Sequence, residues 1–159
     1  MPPANFIGEQ LRCYLVGRNH NFVLKNFYID SWECDVFSVT TSGLTNEYEV
    51  KRTLHDYKND FSKNCGELKK HQLIQDGLRT NKFWYVIPEE WDLEIPEYAG
   101  IFVYKHNGEK LGYLTKKREA KVLHRRKMKD DNRLLYNIAT KCYYRMPKEH
   151  IIIPIERVL

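Results

Sequence analysis

Long apolar runs are missing from this sequence: nowhere do its 159 residues approach the roughly 18 consecutive apolar residues that a membrane-spanning helix needs. The opening MPPANFIGEQ lacks the positive-then-apolar order of a secretory signal, so a cytoplasmic protein with no membrane partner is expected. Cysteine is sparse. Cys13, Cys34, Cys65 and Cys142 are scattered without a CxxC pair, which argues against a zinc or redox motif and predicts buried or half-buried free thiols. No internal repeat or low-complexity tract stands out. No region is poor enough in large apolar residues to read as disordered, which leaves only the ends and one basic stretch as candidates for disorder.

What is present fits a folded chain. A hydrophobic fraction of 42% and an aromatic fraction of 13% at this length predict one domain over residues 1–159 with a single core. The net charge of +5 decides little, but its distribution is informative. Lys116, Lys117, Arg118, Lys121, His124, Arg125, Arg126, Lys127 and Lys129 crowd one segment in which Glu119 is the only acid. Such clustering suits contact with a phosphate backbone, with Lys117, Arg118, Arg125, Arg126 and Lys127 as the residues expected to make it.

Periodicity orders the elements. From about Ala4 to Arg18, apolar residues recur at spacings of three and four, which predicts an opening helix. Phe22 to Ile29 reads as a strand, and Ser31 to Thr40 and Leu44 to Thr53 read as two more, joined by the turn Thr41-Ser42-Gly43. Leu54 to Gly77 has a helical pattern that Asn64 and Gly66 can divide. Lys82 to Ile87 is a short interior strand beside the hairpin. Gly100 to Tyr104 and Lys110 to Leu114 flank Asn107-Gly108, a strong hairpin signal, and a helix follows over roughly 130–145 before Pro147.

One constellation carries chemistry. Asp35 sits in the second strand and Glu49-Val50-Lys51 in the third; alternation puts Glu49 and Lys51 on one sheet face and Val50 on the other. If the hairpin turns near Ser42, Asp35 lies level with Glu49 or Val50. Two neighbouring carboxylates repel, and a divalent cation between them removes that penalty. Mg2+ or Mn2+ suits Asp35, Glu49 and the Val50 main-chain carbonyl, with water completing the shell. Lys51 is then placed to orient a metal-bound water or stabilise charge on a phosphorane, and phosphodiester hydrolysis is the reaction these groups suit.

The order of elements, and the runs Glu49-Val-Lys-Arg-Thr, Asp56-Tyr-Lys-Asn-Asp-Phe-Ser-Lys63, Lys70-His71, Asn81-Lys-Phe-Trp-Tyr-Val-Ile-Pro88 and Pro96-Glu-Tyr-Ala-Gly-Ile101, carry a resemblance over roughly residues 4–104. The chain resembles the PD-(D/E)XK nuclease superfamily, and within it small bacterial and phage proteins similar to bacterial DNA-repair nucleases. The resemblance implies an α/β fold with a restriction-endonuclease-like αβββαβ core over about 4–104, a mixed sheet flanked by helices; the residues beyond it add the C-terminal hairpin, and the basic segment and C-terminal helix over about 115–146. It makes Asp35 and Glu49 metal ligands and Lys51 the catalytic lysine. Glu9 on the opening helix matches an additional acidic ligand of some members, whereas Cys34 stands where the superfamily's proline would be. Function is then expected to be divalent-metal-dependent hydrolysis of DNA in repair, recombination or phage DNA metabolism. RNA is a lesser candidate, and a homodimer is allowed. The alternatives are a non-catalytic nucleic-acid-binding module of the same fold and an interaction protein whose triad is accidental. Lys58, Lys63, Lys70 and His71 on the helical stretch are candidate phosphate contacts. Trp84 and Tyr85 are expected in the core, and Tyr136, Tyr143 and Tyr144 in helix packing.

Overall fold

The computed structural model describes residues 2–29, 32–65, 67–108 and 110–145. Helix α1 (Ala4–Val16) buries Ile7, Leu11 and Leu15, the stripe its spacing predicts, and gives way at Gly17. Asn19 then adopts a left-handed φ of 60°, a conformation that asparagine tolerates better than most residues. Strands β1 (His20–Ile29), β2 (Trp32–Thr40) and β3 (Thr45–Val50) form an antiparallel meander. Gly43, at φ 85°, closes the second hairpin, its N–H donating to the Thr40 carbonyl at 2.9 Å.

The expected helical stretch 54–77 splits into pieces. Helix α2 (Leu54–Asp60) is capped by Thr53, whose hydroxyl accepts from the Asp56 N–H at 3.1 Å. A two-residue ribbon follows, β4 (Asn64–Cys65) against β5 (Leu68–Lys69), and then helix α3 (Lys70–Gln75). The capping Thr53 also stops the third strand short, so Lys51 lies one residue past its end rather than inside it.

Strand β6 (Lys82–Pro88) adds parallel to β3, and β7 (Gly100–Asn107) adds parallel to β6. Strand β8 (Lys110–Arg118) returns antiparallel and is longer than expected, taking in the start of the basic run. The result is a mixed six-stranded sheet in the order β1-β2-β3-β6-β7-β8. A 3-10 turn (Met128–Asp130) and helix α4 (Asn132–Arg145) follow. Among the described residues no helix is long and apolar enough to cross a membrane.

The sheet separates two cores. On one face α1 packs on Val36, Tyr48, Val50, Trp84, Val86, Phe102 and Tyr104. On the other, Tyr57 of α2 and Ile74 of α3 cover Phe83, Tyr85, Ile87 and Val103. A third cluster joins Ile138 of α4 to Phe27, Ile29, Cys34, Phe37 and Val39. Phe27, only three residues after Leu24, reaches the same cluster as Leu24 because Asn26 between them turns the strand at φ 50°. Of the described thiols, Cys34 is buried and Cys142 half-buried, but Cys13 is exposed on the outer side of α1, against expectation.

Gly100 shows how tightly the α1 face is filled. It pairs with Trp84 across the β6–β7 ladder, and a Cβ built on it would fall inside the indole, 2.7 Å from Cδ2. Gly100→Ala is therefore expected to destabilise the fold by about 1–3 kcal/mol, the usual cost of overpacking a full core. A lowered denaturant midpoint with unchanged slope is the expected result, and a wild-type midpoint would contradict it.

Candidate active site

Asp35 and Glu49 meet where the β2–β3 ladder ends. The last pair is Val36 with Tyr48, so the next position sets Asp35 opposite Glu49, the register that a turn at Ser42 predicts. Asp35 does not complete that pair through its backbone. Its Oδ2 accepts from the Val50 N–H at 2.7 Å, and by register its neighbour on β1 is the left-handed Asn26.

Glu49 points away from α1, toward α2 and α3, and is nearly wholly buried. Its Oε2 accepts from the Lys51 ammonium at 3.1 Å and its Oε1 from the Lys70 ammonium at 2.7 Å. Both ammonium groups also reach the fully buried Asp60 of α2, Lys51 at 3.0 Å and Lys70 at 3.1 Å. Asp60 Oδ1 is joined by Lys63 at 3.0 Å, while Oδ2 accepts from the Tyr85 hydroxyl at 3.0 Å and from His71 Nε2 at 2.9 Å. Because a carboxylate only accepts, His71 carries its proton on Nε2. Its Nδ1 meets the Tyr98 hydroxyl at 2.6 Å.

The charges respond to this arrangement. Burial alone would raise the Asp60 carboxyl, but the His71 hydrogen bond and Lys70, Lys51 and Lys63 hold it far below the usual carboxylate range. Glu49 is likewise pushed up by burial and pulled lower overall by Lys70 and Lys51. Burial disfavours the charged form of both lysines, yet Glu49 and Asp60 raise them above the ordinary lysine value. Asp35 goes the other way: burial and the neighbouring Glu49 charge lift it to about 6, against the opposing Val50 hydrogen bond, Lys51 and Lys70. It is the one carboxylate of the group left short of positive charge.

The structure thus brings Asp35, Glu49, Val50 and Lys51 together and adds Asp60 and Tyr85, which sequence reasoning passed over. A signal for Asp60 was available, since it falls three residues after Tyr57 and next to Phe61, on the apolar stripe of α2 where an acid is out of place. Tyr85 is buried as expected, but its hydroxyl belongs to the polar cluster. Among the described residues no three His, Cys, Asp or Glu side chains form a ready-made metal cage.

Other expectations need correction. Glu9 lies on α1, across the sheet from Glu49, with its carboxylate taken by Arg12 at 2.6 Å and Lys25 at 2.8 Å; these hold it at about 2. Lys70 is fully buried in the cluster and His71 nearly so, and the polar atoms of both are engaged there rather than offered to a phosphate backbone. Arg118 is structural: its guanidinium ties down the carbonyls of Ile95, Pro96 and Ala99 at 2.7–3.1 Å. Lys58 and Lys63 are exposed, Lys63 at the rim of the cluster. Lys117 is exposed, 3.8 Å from Glu89.

Arg125, Arg126 and Lys127 are exposed on an irregular strap whose main chain is anchored by Asn81, and Arg126 donates to the Gly77 carbonyl at 3.0 Å. Asn81 also holds Thr45, so the strap crosses the sheet where β3 and β6 begin. Glu49 lies four residues further along β3, about 13 Å away.

No family model matches this chain, and no curated protein matches it. A solved structure does: the SPO1766 protein of unknown function from Silicibacter pomeroyi superposes with a TM-score of 0.62 at 15% identity, covering 89% of this chain and 84% of that one. At that identity the match shows a shared fold.

The Asp35 environment has a measurable consequence. The folded chain holds the Asp35 proton more tightly than the unfolded chain, whose carboxyl titrates near 4, so Asp35 withdraws stability as pH rises from about 4 to about 6 and the full penalty persists above that. Asp35→Asn keeps an acceptor for the Val50 N–H and removes the charge. In metal-free buffer it should be about 1–3 kcal/mol more stable than wild type at pH 7.5, with the gap closing below pH 4. Denaturation curves across that range would show it, and a gap independent of pH would contradict it.

Proposed function

We propose that the chain is a divalent-metal-dependent nuclease hydrolysing phosphodiester bonds, DNA before RNA, on a restriction-endonuclease-like αβββαβ core. The carrying observation is the pair Asp35 and Glu49 at the end of the β2–β3 ladder, with Lys51 beside Glu49. Supporting the fold is the run of α1, an antiparallel meander, the α2–α3 crossover and a parallel β6, the element order of that core.

The donor set fits Mg2+ or Mn2+. Two carboxylates and the Val50 carbonyl are hard oxygen ligands, and Asp35, short of positive charge, is stabilised by a cation beside it. Such a cation supplies an activated water and neutralises charge on the phosphoryl group. Glu49 already carries two ammonium groups, so cation binding competes with Lys70 for the Glu49 Oε1 side. Lys51, fixed by Glu49 and Asp60, stays protonated and acts as an electrostatic donor toward the phosphate rather than as a base. Lys63, at the exposed rim, is placed to meet the incoming backbone.

Lys51→Gln and Glu49→Gln separate these roles. In single-turnover cleavage with Mg2+ or Mn2+, Lys51→Gln should fall by roughly 10²-fold or more while calorimetric metal affinity is retained. Glu49→Gln should lose metal affinity itself, because a neutral amide is a poorer ligand for a hard cation. Cleavage by the pure wild-type protein in chelator, or wild-type turnover in Lys51→Gln, would contradict the mechanism.

A further inference from the structure

The tyrosines of α4, expected in packing, are exposed instead: Tyr136, Tyr143 and Tyr144 stand clear of the core contact made by Leu134, Ile138 and Cys142, and nothing around them defines a partner. Arg52 is more informative, because it is sheltered and still uncompensated. Among the described residues the other arginines withdrawn from solvent are all engaged: Arg12 by Glu9, Arg79 by Glu47 and the Ile29 carbonyl, and Arg118 by the carbonyls of Ile95, Pro96 and Ala99. Arg52 is half-buried, its Nε is closed off from solvent without an acceptor, and no hydrogen bond or ion pair from a described residue reaches its guanidinium. A donor shut away from water with nothing to accept from it is costly, and folded proteins keep few of them.

The end of β3 fixes where this guanidinium lies. Val50 belongs to the α1 core and Lys51 points to the opposite side, toward Glu49, so alternation turns Arg52 back to the α1 side. Tyr104, also in the α1 core, agrees with that placement. Its hydroxyl donates to the Lys51 carbonyl at 3.2 Å, and burial pushes it up to about 12, with the Arg52 charge opposing the rise and Glu90 adding to it. Glu90 is not paired with Arg52; it lies 3.5 Å from His106 Nε2. Along extended chain Arg52 is two residues, about 7 Å, from Val50, whose N–H holds Asp35. The guanidinium therefore stands at the same end of the sheet as Asp35, Glu49 and Lys51, but faces away from the carboxylates and does not share their ligand. Arginine is always charged, and its Nε and Nη donors form a fork that fits two oxygens of a phosphate.

We propose that Arg52 binds a phosphodiester flanking the scissile one, through Nε and one Nη, and so positions the polynucleotide backbone across the end of β3. The identity of the anion rests on the nuclease reading, but its binding is measured without catalysis.

The test is fluorescence anisotropy of labelled oligodeoxynucleotides, single-stranded and duplex, in chelator so that no cleavage occurs, continued with whichever form wild type binds more tightly. Arg52→Gln should weaken binding about tenfold and lower its salt dependence by close to one ion. Arg52→Lys, which keeps the charge and loses the fork, should fall between the two. Single-turnover cleavage at saturating enzyme with Mg2+ should stay within about threefold of wild type in both variants, because the contact binds substrate and transition state alike. A single neutral methylphosphonate linkage moved along the oligonucleotide gives the readout that a structural role would not move: at one position it should cost wild type about tenfold and Arg52→Gln almost nothing. Denaturant midpoints of both variants should match wild type, since the guanidinium has no partner in the free protein. Undiminished affinity in Arg52→Gln, a deficit equal at every methylphosphonate position, or a wild type that binds neither oligonucleotide would each overturn the proposal. Position-specific coupling without metal-dependent cleavage would instead leave Arg52 as a phosphate contact and remove only the nuclease reading.

Discussion

The buried carboxylate of Asp60 accepts from five side chains at once, Lys51, Lys63, Lys70, His71 and Tyr85, and the helical side of the molecule is arranged around it. Those donors come from the end of β3, the segment after α2, the start of α3 and the middle of β6. Two short helices of seven and six residues have little intrinsic stability, and this shared acceptor supplements the apolar contacts of Tyr57 and Ile74 in docking them. The same ammonium groups neutralise Glu49. Removing Asp60 would leave the buried ammonium groups of Lys51 and Lys70 short of negative charge, which costs far more than an exposed ion pair contributes.

A buried ionic cluster is an expensive way to join helices to a sheet, since apolar residues of similar volume commonly serve as well or better. Its presence beside Asp35 fits a site in which charge is needed for chemistry. The two carboxylates at the end of the β2–β3 ladder are placed in opposite electrostatic states: Glu49 compensated by lysines, Asp35 raised to about 6. That unrelieved repulsion withdraws stability from the fold, and on the proposed reading a cation beside Asp35 relieves it, the kind of local conflict that functional sites retain.

Much of the fold could be read from the sequence because its signals were local. The spacing of Ile7, Leu11 and Leu15 gave α1, Gly43 gave the β2–β3 turn and hence the Asp35–Glu49 register, and Asn107-Gly108 gave the last hairpin. The misreadings share a cause: they depended on partners distant in sequence. Lys70 and His71 look like surface cations until Asp60 and Glu49 are brought to them. Arg118 looks like part of a basic run until the carbonyls of 95–99 close on it. Tyr144 has packing periodicity, but Leu134, Ile138 and Cys142 already fill the contact with β1. Glu9 was drawn into the site by a resemblance that said nothing about which side of the sheet α1 would cover.

The central claim is that Asp35 and Glu49 jointly hold a divalent cation despite the lysines already bonded to Glu49. Anomalous diffraction from crystals grown with Mn2+ tests it most directly, because the metal is located without reference to activity. The account predicts a manganese peak within bonding distance of both carboxylates, with the Lys70 ammonium displaced from Glu49 Oε1. A Mn2+-saturated crystal with that position empty and Lys70 still seated on Glu49 would contradict it.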